Sequence, residues 1–284
     1  MRKQVLYLLG LLAFGFMLTT FEAEAQRDGQ PLDNIFDKEH IRNKKPVPYP
    51  SLREADILWS KRVWRIIDLR EKMNLPMYYP ISTKDDRYSL ISLLLHGIQY
   101  EGLPAYSPAD DEFKVRMNYE DVNEAMGATT EVTEVLNPET NMYEEVEVTR
   151  NVRVEEVKQV MVKEIWYFDR NYSRMDVRII GLCPIREYAN EAGEIVKRQT
   201  FWVNYPEARD LFARYEVFNA SNDAQRRSFD DIFTKRYFGS YIVQETNMYD
   251  NRTIDSYAAG IEAMLESERI KEEIFNFEHD LWEY

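Results

Sequence analysis

The sequence predicts an α+β fold, with N-terminal helices, an antiparallel sheet of hairpins, an extended N-terminal arm and an acidic helical C-terminal tail. Three observations lead to this prediction. Apolar residues recur at spacings of three and four in residues 51–73 and again after residue 254, as in amphipathic helices. Between residues 129 and 205 apolar and polar residues alternate, as in strands. Turn-forming residues separate the alternating runs, which favours antiparallel hairpins.

Charge and composition exclude several classes of protein. The chain of 284 residues has 36 Lys and Arg against 50 Asp and Glu, a net charge of −14, whereas nucleic-acid binding needs an excess of basic residues. Hydrophobic residues make up 44% of the chain, which is enough to build a core and excludes a wholly disordered protein. The single cysteine cannot form an intrachain disulfide. The length fits one large domain or two small ones.

Residues 1–25 have the pattern of a secretory signal peptide. Arg2 and Lys3 precede an apolar run of 13 residues, which is shorter than the roughly 20 residues that a membrane-spanning helix needs. Ala23 and Ala25 then form a small-residue cleavage site, so we expect cleavage after Ala25. The alternative is an uncleaved membrane anchor. We expect an exported protein without a membrane span, so that attachment to a membrane would come through a partner.

Residues 26–50 are expected to form an extended arm. Proline stands at every second position of the segment 46–50, which favours polyproline II structure and blocks a helix. Two alternatives remain open for this arm. It is either a linker, or a peptide that docks along another surface with Tyr49 as its anchor.

Residues 51–73 are predicted to form the first helix. Ser51 and Glu54 have the spacing of a capping box, and the apolar residues that follow share one helical face. Trp59 and Trp64 lie five positions apart and cannot share one narrow stripe. One of the two is therefore expected to pack against a second surface, within the chain or between chains.

An aromatic turn and two more helices are predicted next. Tyr78 and Tyr79 lie in a turn between two prolines. A buried helix is predicted over residues 85–96, with Gly97 as its C-terminal stop, because its residues are apolar nearly all round. A short helix is predicted over residues 119–126.

Residues 132–136 and 143–150 are predicted to form a β-hairpin around a turn cluster. Between residues 129 and 157 there are eight Glu, among them Glu145 and Glu147, against two Arg, a net charge of −6. This acidity is either a solvated hairpin face or an edge that seats a basic partner, and charge alone favours the first.

The remaining strands and helices of the core are predicted from the same two patterns, the alternation of strands and the three-to-four spacing of helices. Cys183 aligns with apolar neighbours, and a buried lone cysteine is more often inert than nucleophilic. The predicted strands are 160–168, 176–187, 195–205 and 237–244, and the predicted helices are 206–218 and a short one capped by Ser228.

Residues 245–284 are predicted to form an acidic amphipathic helical tail. From residue 244 onwards there are eleven acidic and three basic residues, a net charge of −8. Ile261 and Leu265 belong to the helical apolar pattern, and Phe275 belongs to an aromatic end. The tail either folds back on its own core or docks in the groove of a partner. The second alternative is preferred, since the tail holds over half of the net charge.

No motif of catalysis or cofactor binding is present in the sequence. Glycine-rich phosphate loops, the nucleophile elbow and zinc-binding spacings are missing, and the three histidines, at positions 40, 96 and 279, lie far apart. His96 is expected in the last turn of its helix, where a cation complements the helix dipole. No cofactor and no metal site are predicted. The alternative function is an exported soluble enzyme that uses a carboxylate pair, whose site the sequence does not identify.

A long segment, residues 46–80, closely resembles the gliding-motility protein GldN, called PorN in non-gliding relatives. The resemblance includes the runs PVPYP, LREAD and IDLREKMN within residues 46–74, together with Tyr79 and Pro80. Residues 165–169 and 179–184 look similar too, whereas the tail beyond about residue 245 carries little resemblance.

The resemblance implies a non-enzymatic periplasmic component of the type IX secretion system of Bacteroidetes. Members of this family form large rings with an outer-membrane lipoprotein, GldK or PorK, and contact GldM or PorM, which is anchored in the inner membrane. We therefore expect these two partners, neighbouring copies of this chain, and a location at the inner face of the outer membrane.

The expected organisation has four parts: a signal peptide (1–25), an extended proline-containing arm (26–50), an α+β core domain (51–244) and an acidic helical tail (245–284). The candidate partner-binding residues are Tyr49, Trp59, Trp64, Tyr78, Tyr79, Glu145, Glu147, Ile261, Leu265 and Phe275.

Overall fold

The computed structural model describes residues 39–281 except for 85–86, 137–142, 151, 191, 220–221 and 223. The side chains of residues 39–40 and 129–150 are likewise outside the description. The expected signal peptide and the first part of the arm, residues 26–38, therefore lie outside the described residues. The segment from Lys38 onwards forms one compact unit. Within the described ranges, every helix is too short or too polar to cross a bilayer.

Strands and helices are interspersed along the chain, and the longest helix is the last. The strands are β1 (Ile57–Asp68), β2 (Ala105–Tyr106), β3 (Arg116–Met117), β4 (Thr129–Leu136), β5 (Tyr143–Arg150), β6 (Val157–Asp169), β7 (Arg174–Ala189), β8 (Ile195–Gln199), β9 (Trp202–Asn204), β10 (Glu216–Val217), β11 (Arg227–Ser228) and β12 (Tyr241–Glu245). The helices are α1 (Glu39–Arg42), α2 (Leu75–Tyr78), α3 (Leu90–Tyr100), α4 (Tyr119–Ala125), α5 (Tyr205–Arg214), α6 (Phe229–Thr234) and α7 (Ile261–Asp280).

One antiparallel sheet organises the fold. Its strand order is β12-β1-β6-β7-β9-β2-β3, and β8 pairs with β7 beside this path. β6 pairs with β1 from Trp59↔Phe168 to Asp68↔Gln159, and with β7 along almost its whole length. β4 and β5 form a separate two-stranded sheet, and so do β10 and β11. The α+β class and the antiparallel hairpins are thus confirmed.

The predicted helix over residues 51–73 is wrong, because most of this segment is strand β1. Ser51 lies in a stretch without helix or strand, and its capping-box spacing begins no α-helix. Val63 and Ile67 are buried on one face of β1, while Trp64, between them, is buried on the other. A strand covered on both faces loses the strict alternation of apolar and polar residues. Its apolar residues then imitate a helical spacing, and pairing with β6 decides the structure.

The second predicted helix exists, but its bounds are shifted. α3 begins after Ser89, whose hydroxyl accepts a hydrogen bond from the Ser92 amide at 3.2 Å, and it continues past Gly97 to Tyr100. Gly97 is therefore no stop. A Cβ added to it would lie 2.5 Å from Leu211 Cδ2, so glycine lets α3 approach α5 closely. His96 accordingly lies before the last helical turn, contrary to the expected position.

Other predicted elements are confirmed with adjusted ends. The helix at 119–126 is α4, the acidic hairpin is β4–β5, and Ser228 caps α6 in a capping box with Asp231. The strand predicted over 195–205 is divided into β8 and β9 by buried Thr200 and Phe201. The helix predicted over 206–218 ends at Arg214, because the following residues pair as β10 with β11.

The core consists of three apolar clusters. The largest lies between the sheet and helices α2 to α6, and it contains Ile67, Leu93, Val162, Leu182 and Phe212. A second surrounds Trp64 and Trp202 on the opposite face. The third lies under α7, where Ile270 and Ile274 pack with residues of β1 and β12. The C-terminal helix is therefore seated on the sheet.

The burial pattern of β1 generates a test of the assignment of its side chains to core and surface. Ile67→Ala should lower the free energy of unfolding by about 2–5 kcal/mol, because Ile67 is fully buried and truncation leaves a cavity. Leu58→Ala on the same strand should change it by less than about 0.5 kcal/mol, because Leu58 is 62% exposed. Urea denaturation followed by circular dichroism measures both values. Equal effects of the two substitutions would contradict the assignment.

Candidate interaction surfaces

The arm segment 44–50 lies on the body of its own chain, with Tyr49 at its centre. The guanidinium carbons of Arg209 and Arg178 lie 4.2 and 4.8 Å from the centroid of the Tyr49 ring. Cation–π contacts of this kind contribute about 0.5–2 kcal/mol each. Burial raises the pKa of Tyr49, so the phenol is neutral at physiological pH.

The same two arginines also hold the backbone of the arm. Arg209 Nη2 donates to the Val47 carbonyl at 2.7 Å, and Arg178 Nη2 donates to the Pro50 carbonyl at 2.8 Å. Alternating prolines lack N–H groups, so the segment cannot join a sheet, and side-chain donors satisfy its carbonyls instead. Lys44 Nζ adds a hydrogen bond of 3.0 Å to the capping hydroxyl of α6. The surface that Tyr49 contacts is thus part of this chain.

A buried ion pair fixes the position of Arg209. Arg209 Nε donates to Asp230 Oδ1 at 2.9 Å, and the same oxygen accepts a hydrogen bond from the Tyr205 hydroxyl at 3.0 Å. Removing one partner of a buried pair leaves an uncompensated charge, at a cost of about 3–5 kcal/mol. The arm therefore rests on a rigid support that α5 and α6 provide.

The two predicted tryptophans have different surroundings. Trp64 is buried, and its Nε1 donates to Asp111 Oδ2 at 2.8 Å, so it belongs to the core of this chain. Trp59 stacks on Phe277 of α7, with ring centroids 4.7 Å apart. Each thus packs on a different surface, and both surfaces belong to this chain.

Tyr78 and Tyr79 differ in the same way. Tyr78 packs against the main core and donates its hydroxyl to the Glu155 carbonyl at 3.1 Å. Tyr79 is half-exposed and packs edge-on against Tyr78, with ring centroids 5.0 Å apart. Of these two candidates, Tyr79 offers more free surface to a partner.

Glu145 and Glu147 both lie on β5 of the acidic hairpin. Their Cα partners on β4 are Glu134 and Val132 respectively. The pairing of Glu145 with Glu134 places two acidic residues opposite each other, which costs stability without a compensating cation. The side chains of this hairpin lie outside the described residues, so the structure gives the register of these glutamates alone.

Helix α7 presents two apolar surfaces. Ile270 and Ile274 are buried against the sheet, where the Ile242 amide of β12 donates to Ser267 Oγ at 2.9 Å. On the first turns of the helix, Ile261 and Leu265 are 75% and 65% exposed. The tail thus folds back on its own core through one surface, and docking to a partner through the open surface stays a prediction.

Exposed apolar residues also surround the start of α7. Met264 adds to Ile261 and Leu265, and we call these three residues the α7 apolar row. The preceding loop exposes Met248 and places the Arg252 guanidinium carbon 4.5 Å from the ring centroids of Tyr249 and Tyr257. The sequence predicted a helical tail from residue 245, but residues 246–260 form a loop with a short 3-10 turn before α7 begins. The detectable signal was an arginine flanked by two tyrosines before an amphipathic helix.

A groove of about 630 Å³ separates the second half of α7 from the loop that leads into β12. Phe275, the third predicted residue of the tail, lines it together with Met73 and Phe238. At its edge Arg236 pairs with the fully buried Glu164 at 2.9 Å. The volume lies within the range of ligand pockets, about 300–1,000 Å³.

The described residues offer little for catalysis. No group of three His, Cys, Asp or Glu in these ranges is placed to hold a metal ion. Burial raises the pKa of the Cys183 thiol, which therefore is a poor nucleophile. His96 Nε2 lies 3.2 Å from the Tyr215 hydroxyl and packs among tyrosine rings, as a structural side chain does.

Comparison with known proteins completes the description. A search of curated protein sequences finds no match. A protein-family model described as "Gliding motility associated protein GldN" matches residues 52–283, which include the sheet, the acidic hairpin and α7. The match thus extends into the tail, which by itself shows little resemblance. Because it covers far more than half of the chain, the protein belongs to the GldN family and is a component of the gliding-motility and type IX secretion machinery.

Proposed function

We propose that the protein is a non-enzymatic structural component of this machinery in the periplasm. It forms a ring with an outer-membrane lipoprotein of the GldK/PorK type, and it couples that ring to a GldM/PorM-type protein anchored in the inner membrane. The proposal starts from family membership. The observation that supports the coupling role is the α7 apolar row. Its side chains are exposed, although the helix that carries them packs firmly on the sheet.

The α7 apolar row has the features of a docking helix face. Its members stand at positions i, i+3 and i+4, the spacing with which helices insert anchors into a partner's groove. The buried stripe of the same helix holds it on the sheet, so that little ordering entropy is lost on binding. Large exposed apolar side chains grouped in this way are typical of interaction sites.

The charge of α7 indicates the chemistry of its partner. The segment 261–280 has seven acidic and two basic residues, a net charge of −5. A suitable groove is therefore apolar at its centre and basic at its rim. Charges at a rim accelerate association, and salt screens them.

The alternative function, an exported enzyme with a carboxylate pair, has less support. A general acid at neutral pH needs a raised carboxyl pKa. Among the described residues the shifted carboxyl pKa values are lowered; for Asp68 the value is about 2, mainly because Arg70 donates to it. The other carboxyl groups with a lowered pKa are those of Asp56, Glu112, Glu156, Asp231 and Glu266.

The assembly itself is the first test. The protein without residues 1–25 should co-purify with its lipoprotein partner in assemblies far above the 33.9 kDa of the full chain. Size-exclusion chromatography with light scattering, with and without the lipoprotein, measures this. A stable monomer that binds neither partner would refute the proposed function.

The α7 apolar row is tested by replacing its apolar groups while the helix stays seated. Ile261→Ser combined with Leu265→Ser should weaken binding to the GldM/PorM-type partner at least tenfold, because each buried aliphatic side chain contributes about 1.5–3 kcal/mol. Calorimetry measures the affinity, and the lipoprotein assembly should be unchanged. Deletion of 245–284 is a poorer test, since it also uncovers the third apolar cluster.

The matched control uses two apolar residues that are equally exposed elsewhere. Leu58→Ser combined with Val115→Ser removes side chains that are 62% and 59% exposed, outside α7. This variant should bind the partner normally. Equal losses in both double variants, or no loss in the α7 variant, would remove the row from the interface.

Substitution of Tyr49 tests whether this side chain holds the arm on the body of the chain. Tyr49→Ala should free residues 44–50 and speed tryptic cleavage after Lys44 by about fivefold to thirtyfold, as a loss of 1–2 kcal/mol predicts. Tyr49→Phe is the control, because it keeps the ring between the two arginines. If Tyr49→Ala also reduces the size of the lipoprotein assembly, the docked arm shapes a contact between subunits. Cleavage at the wild-type rate would show that Tyr49 is no anchor.

A further inference from the structure

Strand β8 is an open, basic edge of the main sheet. It pairs with β7 from Ile185↔Gln199 to Ala189↔Ile195, and its other edge has no partner strand among the described residues. Lys197 and Arg198 are adjacent on this strand, and both are exposed. An unpaired strand edge presents a row of N–H and C=O groups to which another strand can add.

The β4–β5 hairpin is a second open edge, of opposite charge. Its strands pair with each other alone within the described part of the chain. From residue 129 to residue 150 there are six Glu and one Arg, a net charge of −5. An isolated two-stranded hairpin is marginally stable in water and gains stability from a third strand. Backbone and charge therefore both suit the hairpin to a basic edge.

The charge pattern selects β5 as the strand that pairs. Glu144 and Glu145 are adjacent on β5, as Lys197 and Arg198 are on β8. The two acidic residues of β4, at 131 and 134, are three apart and cannot match two adjacent bases. In an antiparallel ladder, two directly opposed residues lie on the same face of the sheet, and the next pair lies on the opposite face. Two adjacent bases opposite two adjacent acids therefore place one pair of opposite charges on each face.

We propose that β5 of one copy of this chain adds antiparallel to β8 of a second copy, with Lys197 opposite Glu145 and Arg198 opposite Glu144. The hairpin then becomes an extension of the neighbour's main sheet. Opposite charges across strands contribute about 0.2–1 kcal/mol per pair, and the backbone ladder adds to them.

This interface joins two different surfaces, and so it continues from copy to copy. Heterologous contacts of this kind generate rings when the rotation closes. The inference thus rests on the ring in the proposed function and gives it a copy-to-copy contact. The hairpin leads into β6 through Glu156, whose Oε2 lies 2.6 Å from Arg186 Nε, and Arg186 is the β7 partner of Arg198 on β8. Pairing within one copy is therefore an alternative that the test must separate.

Cysteine cross-linking tests the register. Lys197→Cys and Glu145→Cys are made in separate proteins, mixed in equal amounts with the lipoprotein and without it, and oxidised mildly. Native Cys183 does not compete, because it is buried. A disulfide-linked dimer should form in the mixture and in neither variant alone. The control mixture pairs Glu145→Cys with Lys114→Cys, another exposed base, and should give no dimer.

Two results would overturn the inference. If the mixture gives no dimer, Lys197 and Arg198 serve only to prevent the addition of another strand at the open edge of β8. If a chain that carries both Lys197→Cys and Glu145→Cys forms an internal disulfide while the mixture gives no dimer, the hairpin pairs within its own copy. If the protein still assembles normally with the lipoprotein in either case, the proposed function stands. If the wild-type protein forms no assembly with the lipoprotein, the proposed function is refuted, independently of this inference.

Charge reversal provides an independent measurement. Lys197→Glu combined with Arg198→Glu places like charges against the hairpin and should weaken association between copies at least tenfold. Adding Glu144→Lys and Glu145→Lys to the same chain should restore it. Lys114→Glu combined with Arg174→Glu changes the net charge equally at other exposed positions, and should leave association unaltered. Failure of the restoring variant would contradict the pairing.

Discussion

The pairing of β6 with β1 and β7 is the interaction on which the rest of the structure depends. β6 is buried along most of its length, and it carries charged and polar side chains into the interior. These groups find partners from outside the sheet: Lys163 donates to the Asp111 carbonyl at 2.8 Å, and Glu164 pairs with Arg236. Unpaired, each buried charge would cost several kcal/mol. The central ladder thus determines where the loops around it must lie.

Two elements are then added to this frame by narrow contacts. The arm is held by Tyr49 between two arginines, by the hydrogen bonds of those arginines to its backbone and by Lys44. Helix α7 is held by two isoleucines, an aromatic stack, one hydrogen bond to β12 and an ion pair of Glu273 with Lys61 of β1. The hydroxyl of Ser267 satisfies an N–H of the strand at the sheet edge, which protects that edge from strand addition. Protection at β12 and exposure at β8 make these two strand edges of the sheet chemically different, as a directional assembly requires.

The elements that were best predicted from sequence are those with a local signal, such as a turn cluster or a helix cap. The hairpin strands, α4 and the capped start of α6 follow local patterns that tertiary packing leaves intact. β1 could not be recognised, because Val63, Trp64 and Ile67 are buried on two faces by elements distant in sequence. The site residues were limited in the same way. An anchor such as Tyr49 was visible as an aromatic residue among prolines, but the arginines that receive it are more than a hundred positions away.

Charge and apolar burial have separate roles in α7. The bases of the helix pair with its own acids, Arg269 with Glu266 and Glu273, and Lys271 with Glu268. The seat on the sheet is mainly apolar, and exposed ion pairs of this kind add about 0.2–1 kcal/mol each. Glu273 also pairs with Lys61 of β1 at 3.6 Å, but it is half-exposed, so the acidic residues contribute little to holding the helix and most of them are available to a partner. Because salt screens charge but leaves apolar burial intact, the helix should stay seated at an ionic strength that slows its recognition by a basic partner.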